Sequence, residues 1–124
     1  MNISLATLVG RQVVEAYGDG GFRIGGTVHS GSVIVLPDRT VAWDVAAFDE
    51  VTWESLELVL EAEPKVELLL LGCGTRMEFV KPDDRQRLRE AGIVTEAMDT
   101  GAACRTFNVL LGEERFVAAA LIAV

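Results

Sequence analysis

The sequence predicts an α/β fold with additional antiparallel β structure at its N-terminal end. Residues 12–45 consist of short β-branched and aromatic runs separated by glycine, a pattern typical of consecutive strands. Beyond residue 45, segments with helical spacing of apolar residues alternate with short aliphatic runs, which predicts a mixed or parallel sheet covered by helices. The 124 residues contain no polar or repetitive linker, so one domain is expected.

Four strands are predicted in the first part of the chain, over residues 12–17, 21–28, 32–36 and 40–45. Pro37 and Asp38 lie between the last two strands. Proline presets φ, and an aspartate side chain can bond the local backbone, so both residues favour a turn. We therefore expect a β-hairpin at this position.

A first helix of about three turns is predicted to begin near Thr52. Trp53, Leu56 and Leu60 recur at helical spacing, Thr52 is a suitable N-cap, and Pro64 ends the pattern. Glu54, Glu57 and Glu61 are spaced to share a separate stripe of the same helix.

The aliphatic run 66–71 is followed at once by glycine, as in a strand buried on both faces, and we expect it at the centre of the sheet. Residues 81–91 predict a second helix, with Pro82 in its first turn and Gly92 after its last. A short strand is expected over 93–96.

A third helix is predicted to follow, with Asp99 or Thr100 as its N-cap and Phe107 on its apolar face. Gly112 can end this helix. Residues 115–124 form a closing apolar run, which predicts the last strand.

Charge and length exclude several classes of partner. Nineteen acidic and eleven basic residues give a net charge of −8, which repels phosphate backbones, so nucleic acid is not expected as a partner. The longest apolar run, 116–124, is far shorter than the roughly 20 residues that span a bilayer, and no signal segment is visible. We expect a cytoplasmic protein without membrane insertion.

The best-placed candidate for a ligand pocket is the glycine loop after run 66–71. Open α/β sheets bind ligands at the carboxyl ends of their strands, and glycine lets a backbone approach an anion closely. The dinucleotide fingerprint fails because Met77 replaces its third glycine, and the P-loop pattern fails as well. A simple tight exit from the strand is the favoured alternative. The candidate pocket comprises Gly72, Cys73, Gly74, Thr75, Arg76, Thr100 and Asn108.

Asn108 belongs to this set because asparagine is a poor residue for a helix interior. It either bonds nearby backbone, which is the favoured interpretation, or faces a pocket.

The charged segments are interpreted mainly as solvated surfaces. One is the carboxylate stripe Glu54, Glu57 and Glu61, whose alternative is a site for a cation or a basic partner. The other is a basic group, whose alternative is an anion-binding stripe. The basic group consists of Arg76, Lys81, Arg85, Arg87 and Arg89.

No catalytic constellation can be assembled from the sequence. Cys73 could act as a nucleophile if Arg76 lowered its pKa, but a buried, inert thiol is favoured, as is a packing role for Cys104. His29 is the only histidine and cannot form a metal site alone. No catalytic residue, metal or cofactor is predicted.

Several motifs, in order and spacing, resemble one known family. Segments 98–100, 103–110 and 114–115 read MDT, ACRTFNVL and ER. Further agreement is found at Tyr17-Gly18, Phe22-Arg23-Ile24, Gly31-Ser32, Trp43, Leu71-Gly72, Gly74 and Gly92-Ile93. The chain resembles the small domain found in the third mitochondrial complex I assembly factor and in an adipogenesis-associated protein, a family with many uncharacterised bacterial and archaeal members.

The resemblance implies a three-layer α/β fold, in which a central mixed sheet is flanked by helices and an N-terminal antiparallel β portion is added. It carries over no catalytic residues, because the family has no established activity and its mitochondrial members act through protein partners during assembly. Two positions depart from the family pattern: Cys73 replaces a small hydroxyl residue, and Phe107 replaces tyrosine. A chain without a targeting segment fits a bacterial member.

Two functions follow as hypotheses. The first is a non-catalytic protein-interaction or assembly-accessory module that works through protein partners. The alternative is a protein or enzyme that binds a small anionic ligand at the loop 72–76, with Thr100 and Asn108 nearby.

Overall fold

The computed structural model describes residues 12–113 and 115–124, which contain eight strands, three α-helices and two 3₁₀ turns. The strands are β1 (Val14–Gly18), β2 (Gly21–Ile24), β3 (Thr27–Ser30), β4 (Val33–Val35), β5 (Thr40–Ala42), β6 (Leu68–Gly72), β7 (Val94–Met98) and β8 (Val117–Leu121). The helices are α1 (Glu57–Leu60), α2 (Pro82–Glu90) and α3 (Thr100–Leu110), and the 3₁₀ turns are Phe48–Glu50 and Glu54–Leu56.

A five-stranded mixed sheet with the order β5-β4-β8-β6-β7 forms the middle layer. β6 runs parallel to both β7 and β8, whereas β4 runs antiparallel to β8 and β5. The aliphatic run expected at the centre forms β6, which is fully buried but lies one place from the middle. β8 is the middle strand, and its small side chains at Ala118–Ala120 gave little sequence signal for that position.

The two faces of this sheet carry separate hydrophobic clusters. Ile34, Leu69 and Leu71 belong to the cluster that includes Leu56 of the second 3₁₀ turn and Leu88 of α2. The opposite cluster, which contains Phe107 of α3, also takes in residues of a three-stranded antiparallel sheet with the order β1-β2-β3. The predicted three layers and the N-terminal antiparallel β portion are therefore confirmed.

Within β8, the direction of each side chain decides which cluster it joins. Ala118 and Ala120 belong to the cluster with α2, whereas Ala119 belongs to the cluster with α3, and all three are fully buried. This alternation follows from the two-residue period of a strand.

The single strand predicted over 21–28 is wrong, because the structure has two strands there. β2 and β3 form a hairpin in which Ile24 pairs with Thr27 across Gly25 and Gly26. Both glycines have positive φ, 56° and 83°, as a tight two-residue hairpin turn requires. The Gly-Gly pair was the turn signal.

The first helix is much shorter than the predicted three turns, because it comprises one 3₁₀ turn and the four residues of α1. The N-cap residue is Trp53 rather than the predicted Thr52, although Thr52 Oγ1 accepts a hydrogen bond from the Ser55 N–H at 3.1 Å. However, the Ser55 carbonyl accepts a hydrogen bond from the Trp43 indole at 2.9 Å, so a distant side chain occupies a group that a regular helix would use.

The remaining elements agree with the sequence prediction to within a few residues. β4 and β5 form the expected hairpin, and α2 begins with Pro82 at its first position. α3 is capped by Asp99, whose carboxylate accepts a hydrogen bond from the Ala102 N–H at 2.9 Å. These boundaries are set by local signals, which explains why the sequence reveals them.

Candidate functional site

The glycine loop leaves β6 beside the N-terminus of α3. A Cβ atom on Gly72 would lie 3.0 Å from a methyl of Leu121 and 3.1 Å from the Thr100 Cα, so glycine is needed for the close approach of helix and strand. Gly74 has φ of 105°, a conformation that side-chain-bearing residues rarely adopt. Both glycines therefore serve the tight exit from the strand.

Thr100 ties the loop to the end of β8. Its Oγ1 accepts a hydrogen bond from the Gly74 N–H at 2.9 Å and donates one to the Ile122 carbonyl at 2.8 Å. The Cys73 N–H donates to the Met98 carbonyl at 2.8 Å. The N–H groups of Cys73 and Gly74 are therefore engaged within the protein, whereas Thr75 and Arg76 are exposed.

Asn108 joins two layers rather than bonding locally, so the favoured interpretation of this residue is wrong. Its Oδ1 accepts a hydrogen bond from the Val14 N–H at 2.9 Å, and its Nδ2 donates to the Val14 carbonyl at 2.7 Å. β1 is an edge strand, and Asn108 satisfies both backbone groups of one of its residues as a neighbouring strand would. The partner lies 94 residues away, beyond the reach of local rules.

The candidate residues thus fall into three places. Gly72, Gly74 and Thr100 meet where β6, α3 and β8 converge, Thr75 and Arg76 lie at the surface beside them, and Asn108 faces β1 about two turns further along α3. A small-anion site at this loop stays a prediction, and of its members Thr75 and Arg76 are the exposed ones.

Both thiols are buried in the hydrophobic clusters. Burial raises the pKa of the Cys104 thiol to about 12, and burial also raises the pKa of the Cys73 thiol. At neutral pH both are therefore protonated, whereas a nucleophilic cysteine needs a thiolate. His29 is half-buried on β3, and among the described residues no three histidine, cysteine or acidic side chains are grouped to hold a metal ion.

An apolar cleft lies on the face of the sheet opposite α3, and the sequence did not predict it. The cleft has a volume of about 210 Å³ and lies between residues 48–56, which contain both 3₁₀ turns, and α2, with Leu71 of β6 also in its lining. Its aromatic lining residues are Phe48, Trp53 and Phe79, and charged side chains are contributed by Asp49, Lys81 and Asp84.

Phe79 is the most exposed large apolar side chain of the described residues, with 82% of its surface accessible. Val80, next to it, packs against the core, so the backbone is fixed while the phenyl ring extends into solvent. Met77 is 47% exposed two residues earlier. An apolar surface therefore continues from the cleft onto its rim.

The wall opposite Phe79 is held by several contacts. Trp53 packs partly against the core, and the Arg87 guanidinium of α2 stacks on its ring, with 3.9 Å between Cζ and the ring centroid. The Trp43 indole bonds the Ser55 carbonyl beneath it. A cleft with both walls attached to the core is preformed, which reduces the entropy lost on binding.

One sequence feature could have indicated this cleft. The chain has five phenylalanines, two tryptophans and one tyrosine, and three of these eight aromatic residues line it. Phe79 lies between predicted elements, where no helical or strand periodicity requires a large apolar residue. Only the folded structure shows that its ring is exposed.

Comparison with known proteins adds the family. The family described as "Protein of unknown function (DUF498/DUF598)" matches residues 14–122, from the first residue of β1 to just past β8. The chain belongs to this family. The DUF498/DUF598 match therefore spans the three layers, the glycine loop and the cleft.

Named relatives and solved structures support this assignment. NADH dehydrogenase (ubiquinone) 1 alpha subcomplex assembly factor 3 of Danio rerio is 40% identical over 110 residues, which are 89% of this chain and 63% of the relative. The chain thus spans about three fifths of the length of the assembly factors that it matches. The resemblance to the family of this assembly factor is confirmed.

A crystal structure described as an outer membrane protein from Bartonella henselae has 42% sequence identity and a TM-score of 0.85, and the match covers 94% of this chain and 98% of that one. A Mth938-like domain from Bordetella pertussis has 28% identity and a TM-score of 0.79, with coverage of 98% and 89%. In the described part of this chain, no helix combines the length and apolarity needed to cross a membrane.

Proposed function

We propose that this protein is a non-catalytic protein-interaction module with an assembly-accessory role, and that it binds a partner protein through the apolar cleft. The observation that carries the proposal is Phe79, a large aromatic side chain held in solvent at the rim of a preformed apolar cleft. Exposed apolar surface of this kind marks interaction sites, because leaving it in water is unfavourable.

The chemistry of the described residues supports a role without catalysis. Both thiols have raised pKa values and are buried, and the hydroxyl of Thr100 is committed to two hydrogen bonds. Among the described lining residues of the cleft, the hydroxyl group is that of Thr52, whose Oγ1 accepts a hydrogen bond from the Ser55 N–H. Relatives named as complex I assembly factors add support, since assembly factors act on other proteins.

Affinity capture with matched variants tests the proposal. The full chain, Phe79→Ser and Val109→Ser are each immobilised and exposed to lysate of the source organism, and bound proteins are quantified by mass spectrometry. Val109 is a suitable control because it is also exposed, at 68%, but lies on α3, in the layer on the other side of the sheet.

The expected result is at least one protein that is captured by the wild type and by Val109→Ser and lost with Phe79→Ser. Both variants should retain the wild-type circular dichroism spectrum, because each changes a side chain that is mostly in solvent. If no captured protein distinguishes Phe79→Ser from the control, the cleft is not the docking surface and the proposal fails.

A further inference from the structure

We infer that the occupant of the cleft is a segment of a partner protein with one large apolar anchor side chain flanked by lysine or arginine. This inference rests on the proposed function and specifies the partner's chemistry. Three features of the described residues carry it: the size of the cleft, the distribution of charge around it, and the orientation of α2.

The size of the cleft fits one anchor side chain. A cavity of about 150 Å³ accommodates a benzene molecule, so the 210 Å³ here holds one aromatic or large aliphatic side chain. Sites for free small molecules usually enclose about 300–1,000 Å³ and bury most of the ligand. The exposed surfaces of Phe79 and Met77 extend beyond the cleft, where the backbone and neighbours of an anchored residue would lie.

One wall of the cleft belongs to a strongly acidic segment. Residues 40–64 contain seven carboxylates and no lysine or arginine, and all seven side chains are exposed. They are Asp44, Asp49, Glu50, Glu54, Glu57, Glu61 and Glu63. None takes part in the ion pairs found within residues 12–113 and 115–124. Cationic side chains of a partner would complement this wall, whereas an acidic partner would be repelled.

The opposite wall is mixed in charge, because α2 carries basic residues beyond its acidic first turn. α2 presents its N-terminus near the cleft, but Asp83 and Asp84 in the first turn already complement the positive end of the helix dipole. Arg87 is stacked on Trp53, and Lys81 is the one cation among the lining residues in the part of the chain that the structure describes. An apolar ligand with a carboxylate is therefore a poorer fit than an apolar anchor with basic neighbours.

A random peptide library tests the inference without assuming a sequence. Phage displaying 12-residue peptides are selected on the immobilised wild-type chain after depletion on Phe79→Ser. Enriched peptides should place lysine or arginine within a few positions of one aromatic or large aliphatic residue. The absence of enriched peptides, or enrichment of peptides without basic residues, would overturn the inference.

Charge variants provide the second measurement. A consensus peptide is titrated against the wild type and against Asp49→Asn/Glu54→Gln/Glu57→Gln at two salt concentrations. We expect this triple variant to bind about tenfold more weakly at low salt, since three exposed ion pairs each contribute modestly, and to lose most of the salt dependence of the wild type.

The matched control removes three exposed carboxylates elsewhere, in Glu67→Gln/Glu96→Gln/Glu113→Gln, and should bind within twofold of the wild type. Equal weakening by both triple variants would attribute the effect to net charge and overturn the inference. A wild-type chain that sediments as a dimer, beside a monomeric Phe79→Ser, would make a second copy the occupant and also overturn it.

The inference and the proposed function fail separately. Suppose that a lysate protein is captured in a Phe79-dependent manner but binds Asp49→Asn/Glu54→Gln/Glu57→Gln as tightly as the wild type. The proposed interaction module then stands, and the proposed basic chemistry of the partner is refuted. If neither lysate proteins nor peptides depend on Phe79, both are refuted.

Discussion

Replacing Asn108 with alanine should destabilise the protein, although alanine is the better helix former. The change removes two hydrogen bonds to Val14, each of which contributes about 1 kcal/mol net. Because the N–H and C=O of Val14 then lack a partner at a residue that is only 5% exposed, the loss should exceed these net values, since an unsatisfied buried group costs about 1–3 kcal/mol. We expect a loss of about 2–4 kcal/mol.

The two interpretations of Asn108 predict opposite signs. If its carboxamide only bonded the local helix, alanine would raise the stability by about 0.5 kcal/mol through its higher helix propensity. For a chain of this length the unfolding entropy is about 0.26 kcal/mol per kelvin, so the expected loss corresponds to a decrease in Tm of about 8–15 °C. The sign of the change thus decides between a bridge across layers and a local bond.

Urea denaturation followed by circular dichroism measures the change, with Val109→Ala as the control for alanine in the same helix. That control should stay within about 0.5 kcal/mol of the wild type, because Val109 is mostly exposed. Hydrogen exchange adds a local measurement, since the Val14 amide should lose protection in Asn108→Ala. A variant as stable as the wild type, with Val14 still protected, would refute the bridge.

Three further changes test the region where β6, α3 and β8 converge. Thr100→Val should lower the free energy of unfolding by about 2–4 kcal/mol because it removes both hydroxyl hydrogen bonds, while Thr100→Ser should retain most of the stability; equal losses in urea titrations would contradict this. Gly72→Ala should cost about 1–3 kcal/mol by overpacking against Leu121 and the start of α3, and an unchanged Tm would show that helix and strand separate easily. The free energy of unfolding should fall as pH rises from about 9 towards 12, because the unfolded chain releases the Cys104 proton that the folded chain retains. Cys104→Ala should make this dependence on pH less steep, and an unchanged dependence would exclude Cys104 as its source.

Much of the fold could be predicted because its boundaries depend on local chemistry. Asp99 caps α3 and Pro82 begins α2, and both signals act within one helical turn. The β2–β3 turn was missed because apolar residues continue through Gly25 and Gly26, although glycine pairs are themselves hairpin signals.

The other features that the sequence did not predict depend on contacts between residues far apart in the chain. The first helix is shortened where the Trp43 indole occupies the Ser55 carbonyl, and Asn108 bonds a residue 94 positions away. The cleft needs three separated segments and the outward direction of Phe79. No local propensity encodes such contacts, whereas the glycine loop, which is contiguous, could be located from sequence.

The alanines of β8 have a consequence for how the two surfaces of this protein can change. Side chains no larger than a methyl group at Ala118–Ala120 leave the middle strand of the sheet with little side-chain volume on either face. A bulkier residue at 118 or 120 would intrude on the layer that contains the cleft, and one at 119 would intrude on the layer that contains α3. Substitutions at positions 118 and 120 should therefore affect the packing on the side of the cleft, and substitutions at position 119 the packing on the side of α3.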